Sequence, residues 1–122
     1  MTDYDPDAEV LDLSALDRLR EIVGGDEAFL VELIHTFLED APQEIAHMHR
    51  ALESWDVALL RRAAHSLKSN SADFGATVLY QMCQELEEMG KQGVFDGAAE
   101  WVSKIEAEYA MVEKALRAVS RT

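Results

Sequence analysis

Cysteine occurs once, at Cys83, so no disulfide can close within this chain. A lone thiol on an apolar helical face suits a reducing, cytoplasmic setting. Basic residues are scarce: 11 Lys and Arg stand against 24 Asp and Glu, a formal net charge of −13. That balance argues against nucleic acid and against an anionic membrane as partners. No apolar run approaches the roughly 18 residues of a membrane-spanning helix. The N-terminus is acidic and lacks the basic-then-apolar layout of a secretory signal. Also missing are a glycine-rich phosphate loop, a His-Glu-x-x-His pair and any ATP-binding segment of a kinase. The chain is therefore expected to have no nucleotide chemistry of its own and not to act as an enzyme by itself.

What is present is helical periodicity. Hydrophobic residues make up 48% of 122 residues, enough for one core, and no repeat divides them. Residues 1–11 hold Asp3, Asp5, Asp7 and Glu9 with no base and are expected to form a disordered acidic tail. A single domain is expected over 12–120, with Val10, Leu11 and Leu13 docking where the chain enters it. Asp12 or Ser14 can cap a short first helix with Leu16, Leu19, Ile22 and Val23 as its stripe, ended by Gly24-Gly25. From Asp26, apolar residues Leu30, Ile34, Phe37, Ala41, Ile45, Met48 and Leu52 keep phase through Pro42. This predicts one long helix over 26–54, kinked at the proline. Further helices are predicted over 57–73, 76–91 (bracketed at its end by Gly90 and Gly93) and 96–119. The expected fold is all-α: an antiparallel up-down four-helix bundle plus the short N-terminal helix.

Residues 61–76 concentrate the chemistry. At roughly 100° per residue, Leu60, Ala63, Ala64, Leu67, Ser71 and Phe74 share one face. His65 falls on the opposite, solvent side. Arg61 lies one turn before it, Lys68 and Ser69 one turn after, and Ala72 two turns after. Arg61, Arg62 and Lys68 are basic and no acid lies between Arg61 and Ala72, in a chain otherwise rich in acids. An exposed imidazole among cations and small side chains suits a group that carries a phosphoryl dianion. A plain surface histidine is the alternative that spacing alone leaves open.

The pattern His65, Lys68, Ser69, Asn70, Ser71, Gly75, Ala76 resembles the signature of the histidine-containing phosphotransfer (HPt) domain, His-x-x-Lys-Gly-Ser-Ser followed by Gly-Ala or Gly-Leu. Ser69 stands where the family most often has Gly, and Asn70 where it most often has Ser; both are small and polar. The resemblance spans about residues 12–118. It implies that His65 accepts a phosphoryl group from the aspartate of a receiver domain and passes it to the aspartate of another. The catalytic pocket and Mg²⁺ would be the receiver's, and no cofactor would belong to this chain. Lys68 would screen the phosphoryl charge, with Arg61 a second candidate.

The hairpin near Gly75 places Glu87 opposite His65, about as far beyond the turn. The HPt resemblance points to the same residue, with Gln84 the fallback. A carboxylate accepting from Nδ1–H would fix the ring tautomer and leave Nε2 as the nucleophile. The expected docking surface comprises Arg61, Arg62, Ser69, Ala72, Gly75 and Gln84, with Leu59 adding apolar area. A monomer is expected, because four helices can close their own core.

Two rivals deserve a hearing. The pairs Glu32…His35 and Glu44…His47 have di-iron spacing, but on one helix they stand roughly 18 Å apart and cannot share a metal pair. A phosphorylation-independent adaptor that binds and sequesters a receiver is the alternative function.

Overall fold

The computed structural model describes residues 10–120. It is all-helical, with no strand among the described residues. The helices are α1 (Leu13–Ile22), α2 (Glu27–Ser54), α3 (Val57–Asp73), α4 (Thr77–Gln92) and α5 (Ala98–Ser120).

Three of the helix starts share one physical cause. Asp12, Asp26 and Asp56 sit in extended backbone, and their carboxylates accept from the amides of Ser14, Phe29 and Leu59, satisfying groups that the first turn leaves unpaired. α2 runs unbroken through Pro42 for 28 residues, about 42 Å. It closes on Trp55 in the left-handed region at φ 54°. α4 begins on Ala76, which offers no side-chain cap, and ends on Gly93 at φ 71°.

α3 packs on α2 and α4, and α5 packs on α2 and α4, so the four long helices surround one core; α1 lies across α2 and α3. Leu60, Leu67, Leu79, Leu86, Ile105 and Leu116 are fully buried in that core. Phe37 meets the rings of Phe74 and Tyr109 at 5.0 and 6.1 Å, and the Tyr109 hydroxyl donates to the Leu38 carbonyl at 3.3 Å. Phe37, Phe74 and Tyr109 are thus packing residues, as is the fully buried Met48.

Several expectations need correction. Val10 and Leu11 are buried, as expected where the chain enters the domain, whereas Leu13 is exposed instead of docking. Residues 1–9, the rest of the expected tail, lie outside the described residues. Ile22 faces solvent, because the stripe of α1 is only as wide as its contact with α2 and α3. Leu52 is only half-buried, and Leu38 and Ala51 complete the buried face of α2. The end of α4 falls between Gly90 and Gly93, as expected, with Gly93 as its cap and Gly90 serving another purpose. Gly90 lies inside α4, where a Cβ would stand 3.0 Å from the Arg61 Cβ and 3.2 Å from its Cα. That close approach locks α4 against α3 beside the histidine.

Candidate functional site

The crossing of α3 and α4 sets the site. Residue 61 meets 90 and residue 65 meets 87, so the two helices run past each other in opposite order from the turn at Gly75. His65 sits outward on α3, its side chain 60% exposed. Glu87 faces it from α4 and is itself buried. The Nδ1 of His65 lies 2.7 Å from Oε2 of Glu87. An ionised carboxylate can only accept, so Nδ1 carries the hydrogen and donates. Nε2 is then the ring nitrogen with a free lone pair, and it has no partner among the described residues.

The second carboxylate oxygen of Glu87 is also occupied. Nζ of Lys68 lies 2.5 Å from Oε1, on a side chain only 19% exposed. Burial alone pushes the Glu87 carboxyl up. The hydrogen bonds from Lys68 and His65 outweigh it and hold the carboxyl below its ordinary value. Lys68 moves the other way: the hydrogen bond to Glu87 raises the ammonium above the ordinary lysine value, against the opposing effect of burial. Beneath this pair lies Cys83, whose thiol burial pushes up to about 12, a packing residue and not a nucleophile.

Beside the histidine is an open cleft of about 580 Å³, lined by Ala58, Arg61, Arg62, His65, Ser66, Glu87 and Lys91. Of the residues singled out from sequence, Arg61, Arg62, Ser69, Ala72 and Gln84 are exposed. Arg61 and Arg62 join His65 in the cleft. Gln84 is one turn before Glu87, and it is Glu87 that meets the ring. Gly75 is not part of an accessible surface: it is buried, its carbonyl accepts from the Asp12 amide at 2.6 Å, and any Cβ at its φ of 74° would strike the Asp12 carbonyl. Leu59 is half-buried against the core instead of adding exposed apolar area. Another groove along α3 mixes apolar and acidic groups, with Leu19, Leu33 and Phe74 beside Asp40 and Asp73. Lys91 was not anticipated, although it follows Glu87 by four residues and so shares its helix face. Of the two Glu-x-x-His pairs, Glu44 bonds His47 within α2 at 3.1 Å, and no bond joins Glu32 to His35 among the described residues. Outside both pairs, His49 of α2 reaches Glu106 of α5 at 3.2 Å.

A family model for the Hpt domain matches residues 32–115. The chain belongs to the Hpt domain family. Among proteins similar to this Hpt chain is Multistep phosphorelay regulator 1 of Schizosaccharomyces pombe, 30% identical over 115 residues, which are 93% of this chain and 39% of that protein. Another is Histidine-containing phosphotransfer protein 2 of Arabidopsis thaliana, 25% identical over 96 residues, 76% of this chain and 62% of that one. The Hpt chain thus spans less than two thirds of either relative's length. The crystal structure of histidine-containing phosphotransfer protein B (HptB) from Pseudomonas aeruginosa PAO1 superposes with a TM-score of 0.86 at 31% identity, over 92% of this chain and 95% of that one. The Hpt domain of a Shewanella sensor hybrid histidine kinase gives 0.69 at 22% identity, over 84% and 89%, a likeness of fold.

Proposed function

We propose that this chain is a phosphorelay intermediate, with His65 the phosphoryl carrier between the aspartates of two receiver domains. The observation that carries this reading is the bond from His65 Nδ1 to the buried Glu87, which leaves an exposed Nε2 as the nucleophile. In the forward step the Nε2 lone pair attacks the phosphorus of an aspartyl phosphate. The P–O bond to the aspartate breaks, the carboxylate leaves, and Nδ1 keeps its proton, donated to Glu87 in a hydrogen bond. The ring gains positive charge as the N–P bond forms, and the Glu87 carboxylate balances it. The second step reverses these events onto another aspartate. Both ends are high-energy phosphates, so alignment and charge cancellation are what the site has to supply.

The receiver brings Mg²⁺ and its acidic pocket, and this chain acts as substrate and carrier instead of an enzyme. We read the fold as an antiparallel up-down four-helix bundle in one domain, entered at Val10 and monomeric. The lone buried thiol of Cys83 supports placing it in the reducing cytoplasm. Receivers dock over exposed α3, where Arg61, Arg62, Ser69 and Ala72 are offered. The groove holding Leu19 and Leu33 beside Asp40 and Asp73 would add a mixed apolar and acidic surface.

Transfer of label from a phosphorylated receiver tests the reading. Wild-type protein should take up acid-labile, base-stable label, and His65→Gln should take none. Binding without label from any of several receivers would favour the sequestering adaptor, and label persisting in His65→Gln would remove His65 from the carrier role.

A further inference from the structure

The signature lysine and the phosphoryl-facing cations are different residues in this site. Lys68 does not point its charge at open solvent. Its ammonium is drawn onto Oε1 of Glu87, and the side chain is four-fifths covered. The two charges cancel. What they leave is a carboxylate with both oxygens engaged, one on Lys68 and one on Nδ1 of His65.

The cleft on the N-terminal side of His65 has the opposite character. Arg61 and Arg62 come from α3 and Lys91 from α4, and all three are exposed. No carboxylate pairs with any of them among the described residues. Glu87 is the one acid lining that cleft, and Lys68 has neutralised it. Three cations with no carboxylate partner among the described residues therefore line the same cleft as the exposed His65 side chain, in a protein whose formal net charge is −13. The absence of a side chain at Gly90 keeps them together. It lets the α4 backbone approach Arg61 closely, with Lys91 the next residue.

We infer that Arg61, Arg62 and Lys91 form the receptor for the phosphoryl dianion on His65, and that Lys68 is a positioning residue acting through Glu87. This rests on the reading of His65 as the carrier. Each phosphoryl oxygen can take charge-assisted bonds from a guanidinium or ammonium without disturbing the Lys68–Glu87–His65 chain. Lys68 in turn holds Glu87 where its other oxygen meets Nδ1.

Phosphoramidate is a suitable probe because it needs no receiver. Nε2 forms a bond to phosphorus, the P–N bond of the donor breaks, and ammonia leaves. Wild type, Arg61→Gln/Lys91→Gln, Lys68→Met and the charge-conserving Arg61→Lys/Lys91→Arg are each loaded, and the phosphoryl group is titrated by ³¹P NMR. ¹⁵N spectra of the imidazole report its tautomer. Losing two exposed ion pairs should lower the phosphoryl's second proton dissociation constant about three- to tenfold in the Gln double variant, with the tautomer unchanged. The charge-conserving variant should restore it. Lys68→Met should leave that titration in place and weaken the Nδ1–H preference. A shift in the Lys68→Met titration as large as in the double variant, or none in the double variant, overturns the assignment. If the double variant does not fold, Lys91→Gln alone carries the same test at about half the effect. No label on His65 in wild type would overturn the carrier reading itself, an outcome distinct from labelled protein with the wrong titration.

Discussion

At the scale of single residues, Glu87 carries two partners on one buried carboxylate, so its substitutions separate two effects. Glu87→Gln keeps an oxygen that can accept from Nδ1–H but loses the charge that holds Lys68. Glu87→Ala loses both. Transfer to His65 should slow about ten- to a hundredfold in the Ala variant, the scale on which histidines at metal sites respond to losing an orienting group. The Gln variant should retain most of the rate, measured by rapid-quench transfer from a phosphorylated receiver. The Glu87 carboxyl is held below its ordinary value, so its contribution to stability is full above about pH 4.5 and is lost as pH falls through the folded value. Glu87 is legible from sequence because a tight hairpin pairs positions equidistant from its turn. The direction of the Lys68 side chain is not, because spacing fixes where Cβ points and four flexible methylenes decide the rest. Nor is Lys91 visible until the crossing of α3 and α4 brings it beside Arg61.

At the scale of elements, the helices are written plainly in the sequence: a period near 3.6 runs through them, and aspartate caps mark the starts of α1, α2 and α3. The glycines are harder to read, because a helical glycine and a terminating one look alike in one dimension. Gly90 spaces two helices, Gly93 ends one, and Gly75 receives the N-terminal segment. Gly75 is expected on the docking surface; the structure gives its carbonyl the Asp12 amide instead. Gly75→Ala should therefore destabilise the protein by about 2–3 kcal/mol, from the left-handed φ together with the collision with Asp12. Chemical denaturation measures this loss, and faster hydrogen exchange at the Asp12 amide would locate it. A loss below about 0.5 kcal/mol would mean that the entry segment does not depend on this contact.

At the scale of the whole molecule, the core hides two acids that resist ionisation. Burial pushes the Cys83 thiol from 9.0 up to about 12 and the Tyr109 hydroxyl from 10.0 up to about 12. Between the lower and upper values the unfolded chain has released protons that the folded chain retains, so stability falls as pH rises. The loss begins near pH 9 with the thiol and steepens near pH 10 with the phenol. At about 1.4 kcal/mol per pH unit the thiol alone reaches roughly 4 kcal/mol. Thermal melts across pH 7 to 11 should show a falling midpoint, and Cys83→Ala should flatten the part between pH 9 and 10. No helix among the described residues is long and apolar enough to cross a membrane.

The nitrogen that bears phosphorus is the most direct test of the account. Phosphorylated protein labelled with ¹⁵N at histidine should show phosphorus coupled to Nε2 of His65, with the proton retained on Nδ1. Phosphorus on Nδ1, or on any other residue, would contradict the role given to Glu87 and with it the mechanism.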